Sequence, residues 1–186
     1  MKRVLVIVDA GFEEIETAAI VDVLRRAGVD VTLAGRAGAA PIRGSRGLVV
    51  VPDAAFDPDW QGDLVVLPGG MANAEALAAD PRVLDLLRAR VYGGQPVAAI
   101  CAAPLALDAA GVLPAGGWTC YPGVEARFAA VGRVDEPVAE YAGVITSQGP
   151  GTAIRFALYL AERLVGRAAV APVADALLVG RTSATN

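Results

Sequence analysis

Three short runs of apolar residues, Val4 to Val8, Leu64 to Leu67 and Pro96 to Ile100, constrain this chain more than any other feature. A strand that is apolar at every position has both faces covered, as in a parallel sheet packed between helices. Helical stretches separate the runs. Glu13 to about Ala27 carries a helical pattern and stops at Gly28, the position of a C-terminal cap. Val29 to Ala34 reads as a strand. Gly35 to Gly47 reads as a loop with a short hairpin, and Leu48 to Val51 as a short strand closed by Pro52. Helical material is predicted from about Asn73 to Tyr92 and again from near Pro104. Val144 to Thr146 reads as a late strand, followed by helices over Thr152 to Leu164 and Ala168 to Leu178. The tail Arg181 to Asn186 has no core pattern and is expected to be loose. With no repeat or composition break, the expectation is one α/β domain over 1–186, a mainly parallel sheet with helices on both faces.

Composition excludes several classes of function. The formal net charge is −4, from 16 basic and 20 acidic side chains, and no block of like charge offers a nucleic-acid surface. Hydrophobic residues make up 55 % of the 186, yet the N-terminal apolar run is too short for a signal peptide or a membrane span. A cytoplasmic location without membrane attachment is therefore expected. The chain contains no histidine. That removes Ser–His and Cys–His nucleophile pairs and, with only two cysteines, makes a metal site unexpected. Two cysteines in a cytosolic chain give no reason to expect a disulfide.

Candidate chemistry centres on Cys101. In Val97-Ala98-Ala99-Ile100-Cys101-Ala102-Ala103-Pro104 a buried strand delivers a thiol onto a turn flanked by small residues, with Pro104 in the first helical turn. This is the pattern of a nucleophile elbow, and the helix start that follows is expected to favour the thiolate. The competing reading is a small buried core cysteine. On the first helix, spacing at about 100° per residue puts Glu16 amid Phe12, Ala19, Ile20, Val23 and Ala27. A carboxyl on a core-facing stripe is costly when charged, so Glu16 is expected to be neutral and able to exchange a proton with the thiol. Glu13 and Glu14 are expected to serve the helix start. Gly69 and Gly70 follow the strand Leu64 to Leu67, where their N–H groups are placed to hold an oxyanion. The carboxyl ends of these strands should open on one sheet edge, where open α/β sheets bind ligands. Gly149-Pro150-Gly151-Thr152 caps the late helix and is a candidate wall of the same cleft. Cys120, in Thr119-Cys120-Tyr121-Pro122, lacks the elbow context and reads as structural or incidental.

Several segments in order resemble the ThiJ/PfpI superfamily: Gly11-Phe12-Glu13-Glu14-Ile15-Glu16-Thr17, Arg25-Arg26-Ala27-Gly28, Gly44-Ser45-Arg46, Leu67-Pro68-Gly69-Gly70, the Cys101 segment and Thr146 through Thr152. The resemblance implies a flavodoxin-like sandwich and usually a homodimer. By matching position it implies Cys101 as nucleophile, Glu16 as its protonated partner, and Gly69, Gly70 and Ala102 as backbone donors. Two positions depart from relatives. Ala102 stands where protease-type members carry a histidine, and Tyr121 where others place one beside the thiol. A Cys–His protease is thereby disfavoured, while Tyr121 can offer a hydroxyl to the pocket.

The activity expected from this resemblance is a cofactor-free, glutathione-independent glyoxalase that converts methylglyoxal to lactate. A related deglycase activity on protein or nucleotide adducts is expected with it, so the partners are small reactive aldehydes or glycated adducts. The alternative is a redox-sensing thiol protein or a stress-linked holdase, since an accessible activated thiol oxidises readily. A flavin or other nucleotide binder, suggested by fold alone, lacks a G-x-G-x-x-G phosphate loop.

Overall fold

In the computed structural model, which describes residues 1–179, strands and helices alternate along the chain. The elements are β1 (Arg3–Val8), α1 (Glu14–Arg26), β2 (Asp30–Gly35), β3 (Ile42–Arg43), β4 (Val49–Val50), β5 (Ala54–Ala55), β6 (Leu64–Leu67), α2 (Met71–Ala78), α3 (Pro81–Tyr92), β7 (Val97–Ile100), α4 (Pro104–Ala109), β8 (Val138–Tyr141), β9 (Val144–Ser147), α5 (Ala153–Val165) and α6 (Arg167–Ala176). One sheet has the order β5-β2-β1-β6-β7-β9-β8, parallel throughout except for β8, which runs antiparallel to β9. β3 and β4 form a separate two-stranded hairpin. The expected tail, Arg181 to Asn186, lies outside the described residues.

The all-apolar strands sit at the centre of the sheet because both of their faces are covered. Leu5, Ile7, Val65, Leu67, Val97 and Ala99 face a core closed by α2, α3 and α4. Val4, Val6, Val8, Val66, Ala98 and Ile100 face another, closed by α1 and α5. Alternate residues thus serve opposite cores, and none needs to be polar. This is the α/β sandwich expected from the sequence.

Three details differ from the sequence reading. The helix expected from Asn73 to Tyr92 is two helices, because Asp80 caps the second through its own side chain, with Pro81 at its first position. β5 and β8 were not expected. β5 has only two residues, and β8 carries Glu140 and Tyr141 at a half-covered edge, so neither shows a continuous apolar run. Finally, Glu13 alone caps α1, its side chain accepting from Glu16 N at 2.8 Å. Glu14 instead turns to the β3–β4 hairpin, where it accepts from Ser45 Oγ at 2.9 Å and from Arg46 N.

Candidate active site

β1, β6 and β7 are neighbours in the sheet, so their carboxyl ends open side by side. The β6 exit carries Pro68-Gly69-Gly70, the β7 exit carries Cys101, and the β1 exit leads into α1 with Glu16. Cys101 has φ 64°, in the left-handed region that a side chain rarely adopts. Such a conformation costs on the order of 1–3 kcal/mol and persists only where the surroundings over-determine it. Here its N–H donates to Ser147 O at 3.0 Å and its carbonyl accepts from Tyr121 N at 3.0 Å. Ala102 and Ala103 are small enough to be buried directly behind the turn. The strained turn presents the thiol at the sheet edge, as the elbow pattern predicts.

Glu16 is fully buried. Its Oε2 accepts from Gly69 N at 2.7 Å, and its Oε1 has no hydrogen-bond partner. Burial pushes its carboxyl up to about 7, the Gly69 N–H pulls it down, and the charge of Glu13 adds to the rise. Burial thus favours the neutral form of this carboxyl.

The Cys101 thiol behaves differently from the sequence expectation. Burial pushes it up to about 12, reinforced by the Glu16 carboxylate beside it, while the Gly70 and Ala102 N–H groups pull it down. Burial is the larger cause, and Glu16 is the charged group that adds to it. When the carboxyl takes the thiol's proton, the charge that opposes the thiolate is gone and the carboxyl becomes a donor.

The backbone donors divide into two roles. The Gly70 and Ala102 N–H groups act on Cys101 Sγ and favour its thiolate. Gly69 does not serve as an oxyanion donor, because its N–H is committed to Glu16. It is instead the point of contact between the two reactive groups. A Cβ there would lie 2.6 Å from Cys101 Cβ, 2.6 Å from Glu16 Oε2 and 3.1 Å from Cys101 Sγ.

The thiol opens into a cleft of about 570 Å³ lined by Gly11, Glu13, Ser45, Arg46, Gly70, Met71, Ala72, Ala102, Tyr121, Val124 and Pro150. Tyr121 is half exposed at its rim, and Pro150 brings the Gly149–Thr152 turn into the wall. Cys120 is fully buried, its Sγ 3.7 Å from Glu125 Oε2. Burial, then the Glu125 charge, pushes its thiol up to about 11, so it reads as a core thiol. Among the described residues no group of acidic, cysteine or histidine side chains is placed to hold a metal. None of their helices is long and apolar enough to cross a membrane.

The sequence reading missed Asn73, which is fully buried beneath the Gly69–Gly70 turn, and the part that Glu13 plays in the cleft. Asn73 carries no motif of its own. The only signal available was a polar side chain near the start of an otherwise apolar helix.

Comparison with known proteins agrees with this architecture. The family model described as DJ-1/PfpI matches residues 2–163. The chain belongs to the DJ-1/PfpI family. It is 41 % identical over 184 residues to protein dj-1beta of Drosophila melanogaster, covering 96 % of this chain and 97 % of the relative. The crystal structure of Drosophila melanogaster DJ-1beta superposes with a TM-score of 0.92 at 42 % identity, over 96 % of this chain and 98 % of that one. A DJ-1/PfpI relative from Caenorhabditis elegans, named glutathione-independent glyoxalase DJR-1.2, is 37 % identical over 158 residues, 83 % of each chain. The flavodoxin-like α/β fold expected from the resemblance is the fold of this family member.

Proposed function

We propose that this protein is a cysteine-dependent, glutathione-independent glyoxalase acting on methylglyoxal, with related deglycase activity on early aldehyde adducts. One observation carries the reading: Cys101 and Glu16 meet across Gly69, with the Gly70 and Ala102 N–H groups at the sulfur. The glyoxalase name of the worm relative supports the choice of reaction class.

The proposed route begins with the Cys101 thiolate and the Glu16 carboxylic acid. Sulfur adds to the aldehyde carbon, and Glu16 gives its proton to the resulting alkoxide, forming a hemithioacetal. The Glu16 carboxylate then removes the hydrogen on that carbon, and the electron pair moves into an enediolate. The Gly70 and Ala102 N–H groups stabilise the developing oxyanion. Glu16 returns the proton to the neighbouring carbon, and the hydroxyl proton on the first carbon passes to the oxygen on the second, so the second becomes the alcohol carbon and the first a thioester. Water attacks the thioester, lactate leaves, and Cys101 and Glu16 regain their starting states. One substrate carbon is oxidised and its neighbour reduced, so the sum is methylglyoxal plus water giving lactate, with no cofactor in the route. Tyr121 is assigned a binding role, because its half-exposed side chain lines the cleft at the rim.

We place the protein in the cytoplasm as a homodimer. Ile15, Leu48, Val49 and Val51 on α1 and the hairpin are exposed, which suits a second copy. Light scattering at micromolar concentration tests the dimer, with a monomer mass refuting it. A redox-sensing thiol is the second reading, favoured by a Cys101 that is only partly buried and sits on a strained turn. Lactate formation from methylglyoxal without glutathione separates the two. The expected result is turnover in the wild type that is lost in both Cys101→Ala and Glu16→Gln. A folded wild type without turnover overturns the glyoxalase reading. Peroxide-driven mass increase at Cys101 would then support the redox one, whereas a holdase working through apolar surface would survive Cys101→Ala.

A further inference from the structure

We propose that Asn73 is the positioning residue of the reactive pair: it ties the Pro68-Gly69-Gly70 turn to the end of β1 and so sets where the Gly69 and Gly70 N–H groups meet Glu16 and Cys101. Asn73 lies in the first turn of α2 and is fully buried, and each of its polar atoms is committed to backbone. Its Nδ2 donates to Pro68 O at 2.8 Å and to Gly69 O at 3.2 Å, and its Oδ1 accepts from Asp9 N at 2.6 Å. One amide therefore joins the exits of β6 and β1, the two strands that lead to Gly69 and to α1.

Gly69 stands at the centre of this arrangement. Its carbonyl accepts from Glu13 N at 3.0 Å as well as from Asn73, while its N–H donates to Glu16 Oε2 at 2.7 Å. A rotation of this peptide plane would withdraw the donor from Glu16 and move the next donor, Gly70 N–H, off the sulfur. Two glycines in succession have little intrinsic preference to hold such an orientation, so an external clamp is required, and Asn73 supplies it. The strand end it grips is itself fixed. Asp9 pairs with Arg36, which reaches Asp80 at 3.1 Å, and Arg82 closes the chain on Asp80 at 2.7 Å. The ionisable groups facing the reactive pair are Glu13, from the start of α1, together with Tyr121 and Arg46 from the cleft wall. All three are unchanged in the variants below.

The inference rests on the reading of Cys101 and Glu16 as a coupled pair, not on the aldehyde substrate. Its test therefore uses no substrate. The rate of Cys101 alkylation by iodoacetamide is measured against pH, with peptide mass spectrometry separating Cys101 from Cys120. Asn73→Ala is expected to move the profile to higher pH and to lower the rate at pH 7 roughly tenfold, the equivalent of one pKa unit. Val170→Ala, which opens a cavity under α6 where that helix packs on α5, controls for simple loss of stability and should leave the profile in place. Superposition of Asn73→Ala on the wild type, or an equal shift in Val170→Ala, overturns the proposal. If circular dichroism shows Asn73→Ala unfolded, Asn73→Ser takes its place. Its hydroxyl is too short to bridge Pro68 O and Asp9 N, and the same upward shift is expected, with superposition again refuting. Loss of lactate formation in the wild type would leave this outcome untouched, so the two readings fail separately.

Discussion

Replacing Glu16 by glutamine isolates what it costs to bury that carboxyl. In the folded chain burial pushes its pKa from the ordinary 4.5 to about 7, against the pull of the Gly69 N–H and with the Glu13 charge adding to the rise. A rise of about 2.5 units at about 1.36 kcal/mol each corresponds to about 3 kcal/mol. The sign follows from proton binding. Below pH 4.5 the carboxyl is neutral in both folded and unfolded chains, and burial costs nothing by this route. Between 4.5 and 7 the unfolded chain releases its proton while the folded one keeps it, so stability falls as pH rises. Above the folded value the loss is complete and constant. Glutamine keeps an oxygen for the Gly69 N–H and never ionises. The stability of Glu16→Gln relative to wild type should therefore increase by about 3 kcal/mol from pH 4.5 to pH 8, roughly 6–12 °C in midpoint for a chain of this size. Urea unfolding of both proteins under reducing conditions, at four pH values across this window, measures it. Taking the difference removes the other titrating groups. A difference that stays constant with pH would refute the assignment of Glu16 as a carboxyl held neutral by burial.

Other consequences follow from the same geometry. Gly69→Ala puts a methyl 2.6 Å from both Cys101 Cβ and Glu16 Oε2, so lactate formation should drop by roughly 100-fold or more, the effect of about 1 Å of misplacement; retention of wild-type kcat would show that the pair is not the site. Tyr121→Phe removes only a hydroxyl at the half-exposed rim, and kcat should be unchanged in steady-state assays, any effect appearing in KM. Arg82, then Arg36, holds the Asp80 carboxyl well below the usual carboxylate range against burial. That stabilisation is present above the unfolded pKa of about 4 and is lost as pH falls through the folded value. Asp80→Asn keeps an N-cap for α3 but should cost about 1 kcal/mol at pH 7, discounted for the half-exposed Arg82, and the deficit should shrink in unfolding curves taken toward pH 2.

The sequence by itself determined the layered architecture. Val4 to Val8, Leu64 to Leu67 and Val97 to Ile100 are apolar on both alternating faces, and a strand of that kind is stable only at the centre of a covered sheet. It also placed Cys101 on its turn, because small residues after a buried strand and a proline opening the next helix are local signals. Glu16 was legible for a similar reason: a carboxyl on the apolar stripe of one helix is anomalous in that helix alone. The division of labour around these groups was not legible. Gly69 and Gly70 look alike in sequence, yet one N–H is spent on Glu16 and the other faces sulfur. The thiol's pKa likewise depends on burial and on a carboxyl 85 positions earlier in the chain. Asn73 shows nothing until β1 and β6 lie side by side. These properties belong to contacts between segments remote in sequence. Their energies depend on distance and burial, which only the folded chain defines.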